Sequence, residues 1–315
     1  MVHNYRIVRM LHPTHLVLDL DAAEKFLLEV FGRKCDKIEA YLPPPDKAPG
    51  FPRDYSITTM IADVWFDCID PRKYVVDDQH FIEPVDQPHL LGTGWAVEGI
   101  RDLYQRFMDS GIRSTDQRNR IGTRDRIPQV QFTPKRPIFL TLPESTGTRY
   151  QVSPAEYIGK LDARTDPSWK LPPVSADDPL SIEFCSHHTI LTKNLERQTH
   201  VLVDICGGKI IHTGRNEILK TDSTYVLLAD AIYELGVPYE EGSFAMNDLR
   251  SRKPLDSYHS ITFKVQDLAK VEKHLRDKKI RLIHQDETTI VTDPSDAIGI
   301  PWGFTTKRVP NDSRY

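Results

Sequence analysis

The sequence predicts an α+β chain of four βαβββ units, paired into two modules. Three observations predict it: a long gapless internal repeat, a second repeat at a slightly different offset, and one element grammar that occurs four times. The first repeat sets HPTHLVLDLDAAEKFLLEVFGRKC (12–35) on HHTILTKNLERQTHVLVDICGGKI (187–210), a shift of 175 positions (12 to 187). His12 falls on His187, Thr14 on Thr189, Leu27 on Leu202, Gly32 on Gly207 and Lys34 on Lys209. Repetition at this separation marks a duplicated domain, not a short-period solenoid.

The elements follow in order. Residues 6–18 alternate loosely and read as a strand that presents His12. Asp19 is a helix N-cap. Phe26, Leu27, Val30 and Phe31 then share one helical face, and Gly32 suits the left-handed position that closes a helix. LPPPDKAPGFPR (42–53) reads as a surface loop, because proline lacks a donor and fixes φ. SITTMIADVWFDCIDP reads as a hairpin turning near Ala62 and Asp63. Its IADVWFDCIDP (61–71) matches LADAIYELGVP (228–238), so Asp67 meets Glu234 at an offset of 167 (67 to 234). The first copy thus carries about eight extra residues, which the proline loop can absorb.

Each module repeats the design in its second half. GWAVEGIRDLYQRFMDSGI (94–112) reads as strand, Asp102 cap, helix and Gly111. HSITFKVQDLAKVEKHLRDKKI (259–280) reads as strand, Asp267 cap and helix. Three strand-like runs follow each: VQFTP, PIFLTL and RYQVSP, then RLIHQ, TTIVT and WGFTTK. The predicted domains are 1–156, a linker at 157–179, 180–307, and a frayed tail at 308–315.

Composition narrows the function classes. With 41 basic and 45 acidic residues the net charge is -4, which argues against a nucleic-acid footprint. No apolar run approaches membrane-spanning length, and GxGxxG and GxxxxGK[ST] are absent. The start lacks a signal-peptide pattern. Cys35, Cys68, Cys185 and Cys206 show no CxxC spacing and read as reduced core residues of a cytoplasmic protein.

Four βαβββ units, each module opening on a strand histidine ahead of a glycine-closed helix, resemble the vicinal oxygen chelate superfamily, the glyoxalase/dioxygenase-like fold. The resemblance covers most of residues 6–306. It implies that paired units form cupped sheets, with a divalent metal held in the cup by side chains of the first and last strand of each unit. Carried onto this sequence, the second module offers His187, Glu234 and His259 as ligands. Strict counting from Asp267 lands on Ser260 rather than His259, and the final position on Gly303. The first module offers a secondary cup of His12, Asp67 and Gln151, with Trp95 or Gly94 at the remaining position. Trp95 is expected to fill that cup. His15 and His188 face away from it by strand alternation, and Asp63 and Asp230 are read as turn residues.

Two imidazoles and one carboxylate hold Zn, Mn or Fe(II) while leaving coordination sites open for a substrate. The expected function is therefore a metal-dependent lyase or isomerase chelating a small oxygenated molecule in the second cup. Tyr233, Tyr258 and His200 are candidate bases. An Fe(II) extradiol-type ring-cleavage dioxygenase and a metal-free binding protein of the same fold stay as alternatives. Expected partners are the small-molecule substrate and, as an open alternative, a second copy of the chain, with neither nucleic acid nor membrane.

Overall fold

The structure is a computed structural model that describes residues 4–131, 135–158, 162–166 and 168–315. Its first unit starts with strand Arg6–Leu16 and helix Leu20–Phe31. The Asp19 carboxylate accepts from the backbone of Asp21 and Ala22, and Gly32 ends the helix at φ 67°. Strands Ser56–Ile61 and Val64–Ile69 form the predicted hairpin. Residues 42–53 hold a single short 3-10 turn and no strand.

The duplication is visible in the pairing. The opening strand of each unit runs parallel to the closing strand of the same unit and antiparallel to the opening strand of its sister unit. Thr14 pairs with Asp67, and Thr189 pairs with Glu234. Even the hairpin turns repeat, with Ala62 at φ 52° and Ala229 at φ 53°. A bridge between Leu90 and Tyr258 joins the two modules into one continuous sheet.

Helices cover the sheet faces opposite the cups, and these faces meet between the modules. Phe31 of the first helix packs on Trp302 at 4.8 Å, and Phe66 meets the same ring at 5.2 Å. The His274 imidazole lies 2.9 Å from the Val30 carbonyl, helix against helix. Burying this aromatic surface stabilises the junction at about 25 cal/mol per Å² of apolar area.

Three expectations need correction. The second helix begins at Ile100 and is capped by Gly99, not Asp102, which sits in its first turn. A side chain at Gly99 would meet the Asn4 carbonyl at 2.1 Å, so the turn belongs to glycine. The third helix is short, Leu195–Thr199, and continues as a π-helical turn, His200–Ile205. VQFTP forms no strand in its described residues, Val130 and Gln131; 132–134 lie outside the described ones.

Described residues of both linker and tail are anchored. Linker residue Arg164 is buried, ion-paired to Asp162, and donates to the Asp63 and Leu11 carbonyls at 2.5 Å each. In the tail, Arg314 donates to the Ser186 carbonyl at 2.8 Å and the Tyr315 hydroxyl to Asp63 Oδ2 at 2.9 Å. Their charged and aromatic residues find buried partners that composition does not reveal.

Candidate functional site

The first cup encloses a cavity of about 170 Å³. Its walls are mostly apolar and include a cluster of aromatic rings. Tyr55 and Tyr74 stack at 3.9 Å, and Phe81 packs edge-on to Tyr74 at 4.8 Å. The proline loop contributes Leu42 and Phe51, so the insertion peculiar to this module forms a wall. His12, Asp67 and Gln151 stand together on one side.

Strand alternation places these three. Gln151 pairs with Gly94, and a side chain at Gly94 would come within 2.9 Å of His12 Nε2. Gly94 is therefore the cup position. Trp95 points to the opposite face, where it donates to the Tyr233 hydroxyl at 2.9 Å and stacks on Tyr150 at 4.3 Å. The expectation that Trp95 fills the cup is corrected by this one-residue step, which exchanges faces.

Hydrogen bonding fixes the roles of the group. Gln151 Nε2 donates to His12 Nε2 at 3.4 Å, and Thr14 Oγ1 lies 3.2 Å from His12 Nδ1. A neutral ring with its proton on Nδ1 meets both contacts. Burial, with the Arg164 charge adding to it, holds the His12 imidazole down at about 4. Ser56 donates to Asp67 Oδ1 at 2.5 Å, while Oδ2 faces His12 Nδ1 at 3.9 Å. Burial pushes the Asp67 carboxyl up to about 7, with the Ser56 bond opposing it in part. A histidine kept neutral and an aspartic acid that holds its proton near neutrality share one wall of the cavity.

The second cup, about 140 Å³, is smaller in lining and more polar. His187 Nε2 lies 3.3 Å from Glu234 Oε2. Glu234 is completely buried, and its two oxygens also accept from Thr189, Asn216, Ser223 and Tyr225 at 2.8–2.9 Å. Burial alone would raise this carboxyl, but the His187 contact and the other donors outweigh it and bring it down to about 2. His259 borders the same cavity at a register irregularity beside Ser260. Its Nδ1 is tied to Asp248 Oδ2 at 2.7 Å, and its buried Nε2 has no hydrogen-bond partner. Gly303, the expected final ligand position, pairs with Thr262 and offers no donor side chain.

The candidate bases lie elsewhere. Tyr233 is buried on the reverse face under Trp95, and Tyr258 bonds His188 Nδ1 at 2.6 Å. His200 is half exposed and paired with Asp204. None of the three borders the second cavity. His188 and His15 are buried on the reverse face, as alternation predicts. The sequence reading missed Ser56, Thr58 and Arg149 as cavity residues. Arg149, Gln151 and Ser153 share one face by period-two alternation, so that spacing could have found Arg149.

The donor sets test whether a divalent ion fits. Among the described residues no three His, Cys, Asp or Glu side chains converge closely enough to hold one. One imidazole, one carboxyl and one amide make the first cup a weaker donor set than two imidazoles and a carboxylate. The second cup fits an ion at two positions, His187 and Glu234, with His259 Nε2 as the further nitrogen on its wall.

No family model matches the sequence, and no curated protein matches it. Solved structures do resemble the fold. A triple mutant of 4-hydroxymandelate synthase from Streptomyces coelicolor matches with a TM-score of 0.62 at 12% identity, covering 98% of this chain and 96% of that one. The Mn(II)-bound glyoxalase from Novosphingobium aromaticivorans matches with a TM-score of 0.58 at 10% identity, covering 99% of this chain and 86% of that one. These likenesses define the class: the chain has the fold of the vicinal oxygen chelate superfamily. It has that fold in the double form, two cups back to back across a shared core.

Proposed function

We propose that the chain is an enzyme whose working site is the first cup. It takes a small, mostly apolar molecule bearing an oxygen function, and catalyses a proton transfer of the isomerase or lyase class. The observation that carries this reading is the His12–Asp67–Gln151 group set into the wall of a mostly apolar cavity that carries a cluster of aromatic rings. Two of the similar solved structures are a synthase and a glyoxalase by name, which supports catalysis on this fold.

Each group has a stated task. The aromatic walls exclude water and strengthen every polar contact inside. Asp67 Oδ2 takes or returns the proton, since an acid poised near neutrality serves both directions. Ser56 holds the other oxygen, Oδ1, and so aims Oδ2 at the cavity. Neutral His12, oriented by Gln151, keeps its Nδ1 proton on Thr14 Oγ1 and so leaves Asp67 Oδ2 free for the substrate.

A second reading keeps a divalent ion in the second cup. The approach of His187 Nε2 to Glu234 Oε2, with unpartnered His259 Nε2 on the same wall, favours it. The ion would polarise an oxygen of a bound substrate.

The test is deuterium incorporation. The chain is incubated in D₂O with a panel of aryl and alkyl 2-oxo and 2-hydroxy compounds, and mass gain is read by mass spectrometry. Incorporation that depends on Asp67 and survives Glu234→Gln supports the first cup. Incorporation that persists in Asp67→Asn and requires both His187 and added Zn²⁺, Mn²⁺ or Fe²⁺ supports the second.

A further inference from the structure

One cationic side chain in the first cavity lacks the partner its chemistry demands. Arg149 opens strand Arg149–Pro154 and borders the cavity together with Gln151 and Ser153. Tyr150 and Val152, between them, are fully buried on the reverse face. Arg149 Nε and Nη1 are sealed from solvent, and neither has a hydrogen-bond partner. Its guanidinium lies 6.0 Å from the Phe81 ring centre, a contact that supplies no acceptor in the plane of its donors.

Guanidinium keeps its charge at all ordinary pH and presents its donors as a rigid planar fork. Burying that charge unpaired is costly. Two buried arginines elsewhere have such partners. Buried Arg164 pairs with Asp162 at 2.6 Å, and Arg314 pairs with Asp312 at 2.9 Å. Among the described residues no carboxylate lies within ion-pair distance of Arg149; the Glu144 charge acts on it only from further off. Two further polar atoms of the same lining, Thr58 Oγ1 and Gln117 Oε1, are also buried without partners. Three side chains that bear unpaired polar atoms thus border one cavity.

We propose that Arg149 is the anion anchor of the first cup, and that the ligand is a small apolar carboxylic acid. This rests on the reading that the first cup is the ligand site. The fork binds a carboxylate through two parallel hydrogen bonds. A monoanion suits the site because Arg149 is the one Lys or Arg in the lining. The Tyr55–Tyr74 stack, Phe51 and Phe81 receive an aromatic or branched alkyl body. The acid group thereby fixes which end of the molecule faces Asp67.

The experiment is titration calorimetry with matched acid and amide pairs on three skeletons: 3-phenylpropanoate, cinnamate and hexanoate, each beside its primary amide. The parent is expected to bind at least one acid tenfold or more tightly than its amide. Arg149→Met should remove that preference while amide binding persists. It should not lower the melting temperature, because the arginine gives up no internal hydrogen bond. Arg149→Lys should keep part of the preference, having charge without the fork. Equal binding of acid and amide by the parent, or a preference that survives Arg149→Met, overturns the anchor and leaves the cavity reading standing. Binding of no pair, or binding unaffected by the cavity-filling Gly94→Val but lost in Thr262→Trp of the second cup, overturns both.

Discussion

Asp230 Oδ1 accepts a hydrogen bond from the Met10 backbone N–H at 2.7 Å, across the module junction. The duplicated turn does the same in reverse, with Asp63 Oδ1 accepting from the Cys185 N–H at 2.6 Å. Met10 and Cys185 are themselves equivalent, each two residues before a strand histidine, and each stands at a register shift. The turn of each module therefore holds open the bulge that aims the histidine of the other. Asp230→Ala should cost about 1–3 kcal/mol, the penalty of an orphaned buried donor, and should loosen His12 rather than His187. Chemical denaturation, with imidazole NMR signals assigned to the two histidines, checks both parts.

Asp67 makes a pH-dependent prediction. Its folded value of about 7 exceeds the ordinary 3.8. Below pH 3.8 both states hold the proton, and no penalty applies. As pH rises from 3.8 to 7 the unfolded chain ionises first, so stability falls, and above 7 the full deficit persists. Asp67→Asn removes that deficit, which is on the order of a few kcal/mol. Melting temperature of the variant minus that of the parent should grow from pH 4 to pH 8, while proton transfer is lost. A constant difference across that range contradicts the assignment.

Glu234 has the opposite sign. Its stabilisation is fully present above pH 4.5 and is lost as pH falls toward about 2. Glu234→Ala strands four donors and His187 in a dry site, so it should destabilise by about 3–5 kcal/mol. Glu234→Gln should cost less, since an amide oxygen keeps some of those bonds. Urea unfolding at pH 7 ranks the two variants. If Glu234→Ala leaves the midpoint unchanged, the carboxylate network contributes nothing to the fold.

Gly94 tests the space in the first cup. Replacing it with valine drives a side chain against His12 Nε2, whose distance from the first added carbon is 2.9 Å. Binding of apolar acids should weaken by tenfold or more. The reverse-face core of Trp95, Tyr150 and Tyr233 is untouched, so the indole NMR signal assigned to Trp95 should keep its parent position while that of Trp65, which packs on His12, moves.

The four-unit plan was legible because duplication left gapless matches and because caps and closing glycines are local signals. Asp19, Gly32, Asp267 and the Ala62–Asp63 turn needed only neighbouring residues to define them. The ranking of the cups was not legible. A strand face is set by register, and the single step between Gly94 and Trp95 decides whether the first cup is open or filled. Glu234 looked like a ligand from spacing, but its saturation depends on Asn216, Ser223 and Tyr225, which only the hairpin brings together. The roles of Asp63 and Asp230 were hidden for a different reason. Their partners lie in the other module, beyond the reach of any local pattern.

The central claim is that the first cup receives the ligand and the second does not. A crystal structure of the chain soaked with 3-phenylpropanoate tests it most directly. The account predicts density in the first cup, with the carboxylate on the Arg149 fork and the ring among Phe51, Tyr55 and Tyr74. Density beside His187 and Glu234, with the first cup empty, would contradict it.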